Sequence, residues 1–200
     1  MKLSTIFYII LINFKIYLKK LLRLNVKPYK VLLNLTDLCN SRCNFCDIWK
    51  IKPQNEINLK EIEKIFESFN TSLYWLSLSG GEVTLVKYYK EMIDSLISNC
   101  KNIKILAFTT NALAVNRALD YALYAKKRGL DVLVTISLDG DESVHDELRG
   151  IKGNYKKCFD LYNKLKEKKI NCNFGITVSD KNSNFIFEKY LKYKYLIKAV

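Results

Sequence analysis

Cys39, Cys43 and Cys46 follow one another at the spacing C-x3-C-x2-C inside the segment Thr36–Cys46, and no fourth cysteine lies nearby. Thiolates are soft ligands, and three of them this close can hold an inorganic centre. Structural zinc takes four ligands, and here the fourth would have to be Cys100, Cys158, Cys172 or the lone His145, all distant in sequence. Three clustered thiolates without a local fourth suit an iron–sulfur cluster with one iron left open. An open iron can hold something other than protein, which makes the segment a candidate site of chemistry.

The other cysteines read as packing residues, since free cysteine behaves as a small hydrophobe. Cys100 would end a helix, Cys158 sit within one, and Cys172 lie in a strand. His145 falls in a polar loop, as neither ligand nor base. No small-residue cleavage site follows the apolar stretch Thr5–Ile12, so no secretory signal is recognised and a reducing, cytoplasmic setting is expected.

Around the cysteines the chain alternates strand and helix. Val31–Thr36 reads as a short buried strand. Asn58 with Glu61 forms a helix-starting capping box, for a helix running to about Phe69. Leu73–Ser79 is a strand, Lys87–Asn99 a helix, Ile103–Thr109 a strand. Ala112–Arg128 is a helix with Gly129 placed to end it. Asp131–Leu138 is a strand, Tyr155–Lys168 a helix, Ile170–Val178 a fifth strand, and Phe185–Tyr195 a last helix. This order predicts an α/β fold: a parallel βα-barrel, a partial TIM-type barrel of about five βα units. The cysteines then follow strand one, Ser79-Gly80-Gly81-Glu82 strand two, Thr109-Thr110-Asn111 strand three, and Ser137-Leu138-Asp139-Gly140 strand four. In a parallel barrel these carboxyl ends share one face, where active sites are built.

Residues 1–28 stand apart as a basic amphipathic segment, before a core at 29–200. Phe7, Ile10, Phe14, Tyr17, Leu21 and Leu24 recur at spacings of three and four, and Lys15, Lys19, Lys20 and Arg23 fall mostly opposite them. The apolar run is too short to span a bilayer. Such a helix either lies on an anionic membrane surface, making the protein peripheral there, or packs on its own domain. The net charge of +13 resembles a nucleic-acid signal, but residues 1–30 hold seven basic side chains and no acid, leaving only +6 for the other 170. With no nucleic-acid-binding motif, nucleic acid is not expected as a partner.

The cysteine motif with Phe45 before its third cysteine resembles the signature of the radical S-adenosylmethionine superfamily. Leu78–Glu82, Thr109–Asn111, Ser137–Gly140 and His145–Gly150 are similar to that family's segments in the same order, over roughly residues 30–180. The likeness is to a core of the molybdenum-cofactor-biosynthesis and peptide-maturase kind. It implies that Cys39, Cys43 and Cys46 ligate a 4Fe–4S cluster whose fourth iron binds S-adenosylmethionine. It further implies that Gly80, Gly81 and Glu82 meet the methionyl ammonium, and that Phe45 packs near the adenine. Ser137 and Asp139 would lie near the ribose or sulfonium, Asn111 would bond the cofactor or cap a helix, and Arg149 would pair with the cofactor's carboxylate.

The implied activity is reductive cleavage of S-adenosylmethionine to a 5′-deoxyadenosyl radical that abstracts hydrogen from an unidentified substrate. An electron donor such as a flavodoxin or ferredoxin would be a partner. Val83 stands where the family often has proline, and Ala112 where glycine often follows Thr-Asn. Family cores usually have six βα units; five are counted here, which suggests truncation at the C-terminal side or a chain that supplies the missing barrel unit. The alternatives are a non-catalytic, cluster-binding remnant and a small zinc-stabilised binding module.

Overall fold

Alternate strand positions here carry apolar side chains, and each strand therefore turns one side to a layer of helices. The computed structural model describes residues 3–24, 26–54 and 56–183. Five parallel strands form one sheet in sequence order: β1 (Lys30–Asn34), β2 (Trp75–Ser79), β3 (Ile105–Thr110), β4 (Asp131–Ser137) and β5 (Asn171–Gly175). Before them lies helix α1 (Leu3–Leu21). Between them run α2 (Leu59–Ser68), α3 (Tyr89–Asn99), α4 (Val115–Lys127), α5 (Glu142–Arg149) and α6 (Asn154–Glu167). Each unit adds its strand beside the previous one, the winding of a βα-barrel segment.

The register aligns Leu33, Leu78, Phe108, Val134 and Cys172 across all five strands. This row faces the helices and packs on Phe66, Met92, Leu96, Tyr121 and Leu161. Fully burying each such side chain contributes about 1.5–3 kcal/mol. On the other face, Ser77, Ala107 and Leu133 stand in register and remain partly open. The capping box forms as expected: Glu61 N donates to Asn58 Oδ1 at 3.2 Å, and Asn58 N to Glu61 Oε2 at 2.9 Å. Gly129, at φ +92°, ends α4 as expected.

Three expectations need correction. The first strand is not buried: β1 is an edge with Leu32 67% exposed, because no described strand pairs with its outer side. The helix after β3 starts at Val115 rather than Ala112. Asn111 Oδ1 accepts from Leu113 N at 2.9 Å, and Ala112 takes φ +60°, which no right-handed helix admits. Finally, His145 does not lie in a polar loop. It sits fully buried on α5, which Asp141 caps by accepting from Val144 N and which ends at Gly150 in a left-handed conformation.

Cys100 caps the C-terminus of α3, Cys158 lies in α6 and Cys172 in β5, as expected. Burial pushes their thiols up, to about 11, 12 and 11 respectively, so they stay protonated packing groups. The helix expected at 185–195 lies outside the described residues. Among the described residues no helix is long and apolar enough to cross a membrane.

Candidate active site at the carboxyl ends of the strands

The cysteine segment leaves β1 and is clamped from two sides by main chain. Gly81 N donates to Thr36 O at 2.7 Å, and Glu82 N to Leu38 O at 2.8 Å. A Cβ at Gly80 or Gly81 would collide with the Thr36 or Leu38 carbonyl, so this close approach requires glycine. From the other side, Arg42 N donates to Arg149 O at 3.1 Å, and Asn44 N to Leu148 O at 3.0 Å. Gly150 at φ +66° makes that contact possible; a Cβ there would lie 2.5 Å from Arg42 O. Trp49 Nε1 adds a bond to Cys43 O at 3.1 Å. Without a regular element of its own, the loop is thus held in shape by its neighbours.

The three thiols open on one cavity of about 220 Å³, together with Phe45, Gly80, Gly81, Glu82, Asn111, Ser137 and Arg149. All the site residues expected from the sequence line it except Asp139. No three His, Cys, Asp or Glu side chains among the described residues draw close enough to hold one metal ion. A lone zinc ion would need such convergence. A 4Fe–4S cluster does not, because each thiolate binds a different iron, so the donor set fits a cluster. None of the three cysteines is in a disulfide. Burial raises the Cys39 thiol above its ordinary value, and the charges of Glu82, Cys43 and Cys46 add to this.

Glu82 is 2% exposed, and its carboxylate accepts four hydrogen bonds from its own chain. Oε1 accepts from Thr84 N at 3.2 Å, Thr84 Oγ1 at 2.8 Å and Thr110 Oγ1 at 2.7 Å, while Oε2 accepts from Asn111 N at 2.7 Å. Burial raises its pKa, and these bonds oppose the rise. The carboxylate therefore ties the β2 loop to the β3 loop at the wall of the cavity. Asn111 does not cap α4, whose N-cap is Ala114 with no side-chain bond. Asn111 Oδ1 holds the turn at Leu113, and its Nδ2 donates to Asn40 Oδ1 at 2.9 Å, 4.0 Å from Cys39 Sγ.

Asp139 stands apart from the other residues expected at the site. It is fully buried behind Arg149, so it does not reach the cavity. Its Oδ2 accepts from Arg149 Nε at 2.5 Å and its Oδ1 from Thr177 N at 2.8 Å. Arg149 then lies with Nη1 3.6 Å from Cys43 Sγ and its guanidinium 5.3 Å from the centre of the Phe45 ring. Burial alone would lower the Arg149 pKa; the Asp139 carboxylate outweighs this and keeps the charge in place.

The sequence did not single out Ser41 or Asn154, and it marked His145 and Gly150 only as the bounds of a family-like segment, with no role of their own. Ser41 is buried, with Oγ 3.2 Å from Cys43 Sγ and from Arg149 O. His145 Nδ1 accepts from Asp139 N at 3.1 Å, which places its proton on Nε2, 3.2 Å from Asn154 Oδ1. Burial lowers the His145 pKa, and the Arg149 charge lowers it further. The signal for His145 was the spacing of Val144 and Leu148 on one turn of helix; for Asn154 there was none.

The Radical SAM superfamily model matches residues 33–192. Sporulation killing factor maturation protein SkfB of Bacillus subtilis is 28% identical over 159 residues, covering 78% of this chain and 37% of the relative. A GTP 3',8-cyclase of Haemophilus ducreyi is 31% identical over 149 residues, covering 67% of this chain and 42% of the relative. The chain thus spans less than half the length of these two relatives. Among solved structures, native anSMEcpe with bound AdoMet and a peptide superposes with a TM-score of 0.65 at 20% identity, covering 83% of this chain and 50% of that one. SuiB of Streptococcus suis bound to S-adenosylmethionine gives 0.66 at 18% identity, covering 83% and 38%. These likenesses carry the fold, a partial TIM barrel.

Proposed function

Since the chain belongs to the radical S-adenosylmethionine superfamily, we propose that it forms the part of an iron–sulfur enzyme that cleaves S-adenosylmethionine reductively. The observation that carries this is one cavity lined by three free thiols, the Gly80–Gly81 clamp and a buried, charged Arg149. When bound, the family's cofactors supply one electron to the sulfonium and release methionine with a 5′-deoxyadenosyl radical that takes hydrogen from a substrate.

The chain's own residues hold and orient. Cys39, Cys43 and Cys46 would ligate the cluster. Arg149, fixed by Asp139, offers a permanent positive charge to the thiolate of Cys43 and to the carboxylate of S-adenosylmethionine. Phe45, stacked beneath that guanidinium, offers an apolar face to the adenine. Asn111 and Ser137 offer polar atoms at the rim. Glu82 serves through the loops that it joins, keeping the Gly80–Gly81 main chain against the cysteine segment.

An external one-electron donor, such as a flavodoxin or ferredoxin, would reduce the cluster. The matched region is common to a maturation protein and a GTP cyclase, so the substrate is left open.

Anaerobic reconstitution with iron and sulfide, followed by dithionite and S-adenosylmethionine, tests the reading. Cluster absorbance and 5′-deoxyadenosine are expected, and Cys43→Ala should lose both. A chain that takes up zinc but neither iron nor sulfide would overturn the reading, and a full cluster without product would leave only a non-catalytic remnant.

A further inference from the structure

Helix α1 turns most of its apolar surface away from the protein. Phe7, Ile10, Phe14, Tyr17 and Leu21 are 59–68% exposed, whereas Ile9, Ile12 and Ile16 are half-buried against the body. At about 100° per residue, the exposed apolar side chains from Ile6 to Leu21 occupy a continuous arc of about 140°. Lys15, Lys19 and Lys20 lie outside this arc, between it and the body. We propose that this face docks the protein on an anionic bilayer surface.

Charge selects the occupant. Residues 1–30 contribute seven basic side chains and no acid, and the first acid in the chain is Asp37. A second copy pairing through the same face would bring these like charges together. Nucleic acid would answer the charge but leave the apolar arc in water. An anionic headgroup layer answers both: the arc enters the acyl boundary while the flanking lysines reach the phosphates. Phe7, Phe14 and Tyr17 put aromatic rings on the exposed, bilayer-facing arc, as interfacial segments do.

Placement makes the contact compatible with the site. Ile12 and Ile16 sit over Thr71, Ser72, Tyr74 and Asn102, residues that precede β2 and β3. Tyr29 and Asn13 join the helix to the body through a 3.3 Å hydrogen bond. The helix therefore lies at the amino ends of the strands, and a docked protein would keep the cysteine cavity, at their carboxyl ends, facing solution.

Co-sedimentation of the full chain with vesicles is the test. With equimolar phosphatidylglycerol and phosphatidylcholine, the protein should pellet; with phosphatidylcholine alone, it should stay in solution. Lys20→Gln and Arg23→Gln should each weaken binding about fivefold. An Ile10→Asn, Phe14→Asn double variant should abolish binding while keeping the unfolding midpoint, since both side chains are exposed. Three results would overturn the proposal. These are no pelleting with anionic vesicles, equal pelleting with neutral ones, or a vesicle-free oligomer that the double variant turns into monomer. Iron content is an independent readout, so failure here leaves the proposed enzyme untouched.

Discussion

The side-chain amide of Asn154, at the start of α6, donates to the main-chain carbonyl of Asn111 at 2.8 Å. This bond closes a buried chain of contacts that begins and ends at the cysteines. From Cys43 it runs through Arg149, Asp139, His145 and Asn154 to Asn111, whose own amide lies beside Cys39. Replacing Asn154 by Leu strands the Asn111 carbonyl and leaves the His145 Nε2–H only the Cys158 sulfur, 3.7 Å away. Urea unfolding should show a loss of about 1–3 kcal/mol for each group left unpaired. Reconstituted iron should fall as well, since the Asn111 loop shapes the cavity.

His145 is the chain's single histidine, so its titration can be isolated. Burial lowers its folded pKa below the ordinary 6.5. Below pH 6.5 the unfolded chain therefore binds a proton that the folded chain refuses. By linkage, stability falls as pH drops from about 6.5 toward the folded pKa, with a slope of up to about 1.4 kcal/mol per pH unit. Urea midpoints of the wild type should fall through this window, and His145→Gln should remove that part of the slope.

The cysteine spacing and strand alternation were legible because each is a local pattern. The sheet order follows from the same alternation, and the glycine pair after β2 was visible as a motif. The partners of these residues were not. Asn154 meets Asn111 across 43 positions, and Asp139 is covered because α5 brings Arg149 over it, toward the cavity. Helix α5 itself escaped notice because its eight residues carry only Val144 and Leu148 as apolar marks among charges. Ala112 was seen as a departure from a glycine common in the family. Its φ of +60° supplies the physical reason for that preference.

The ion pair between Asp139 and Arg149 has both side chains at most 10% exposed, at 0% and 10%. Arg149→Met would leave the Asp139 carboxylate buried without its counter-charge. The expected cost is about 3–5 kcal/mol. An Asp139→Asn, Arg149→Met double variant removes the stranded charge and should recover part of that loss. A double-mutant cycle in urea measures the coupling, and additive single losses would show that the pair is not coupled.

Gly150 and Gly153 give a matched comparison at the edge of the cysteine segment. Both hold positive φ, +66° and +81°, so alanine at either position pays for a left-handed backbone, about 1–2 kcal/mol. Only at Gly150 would the added Cβ meet another chain segment, lying 2.5 Å from Arg42 O, while nothing is within 4 Å at Gly153. Gly153→Ala should therefore lower stability by the backbone term alone and leave iron loading intact. Gly150→Ala must also push the Arg42 main chain away from α5, which loosens the bonds that Arg42 and Asn44 make to Arg149 and Leu148. Thermal unfolding with iron and sulfide analysis on both variants separates the terms: equal Tm losses with equal iron would show that the cysteine loop does not depend on this contact.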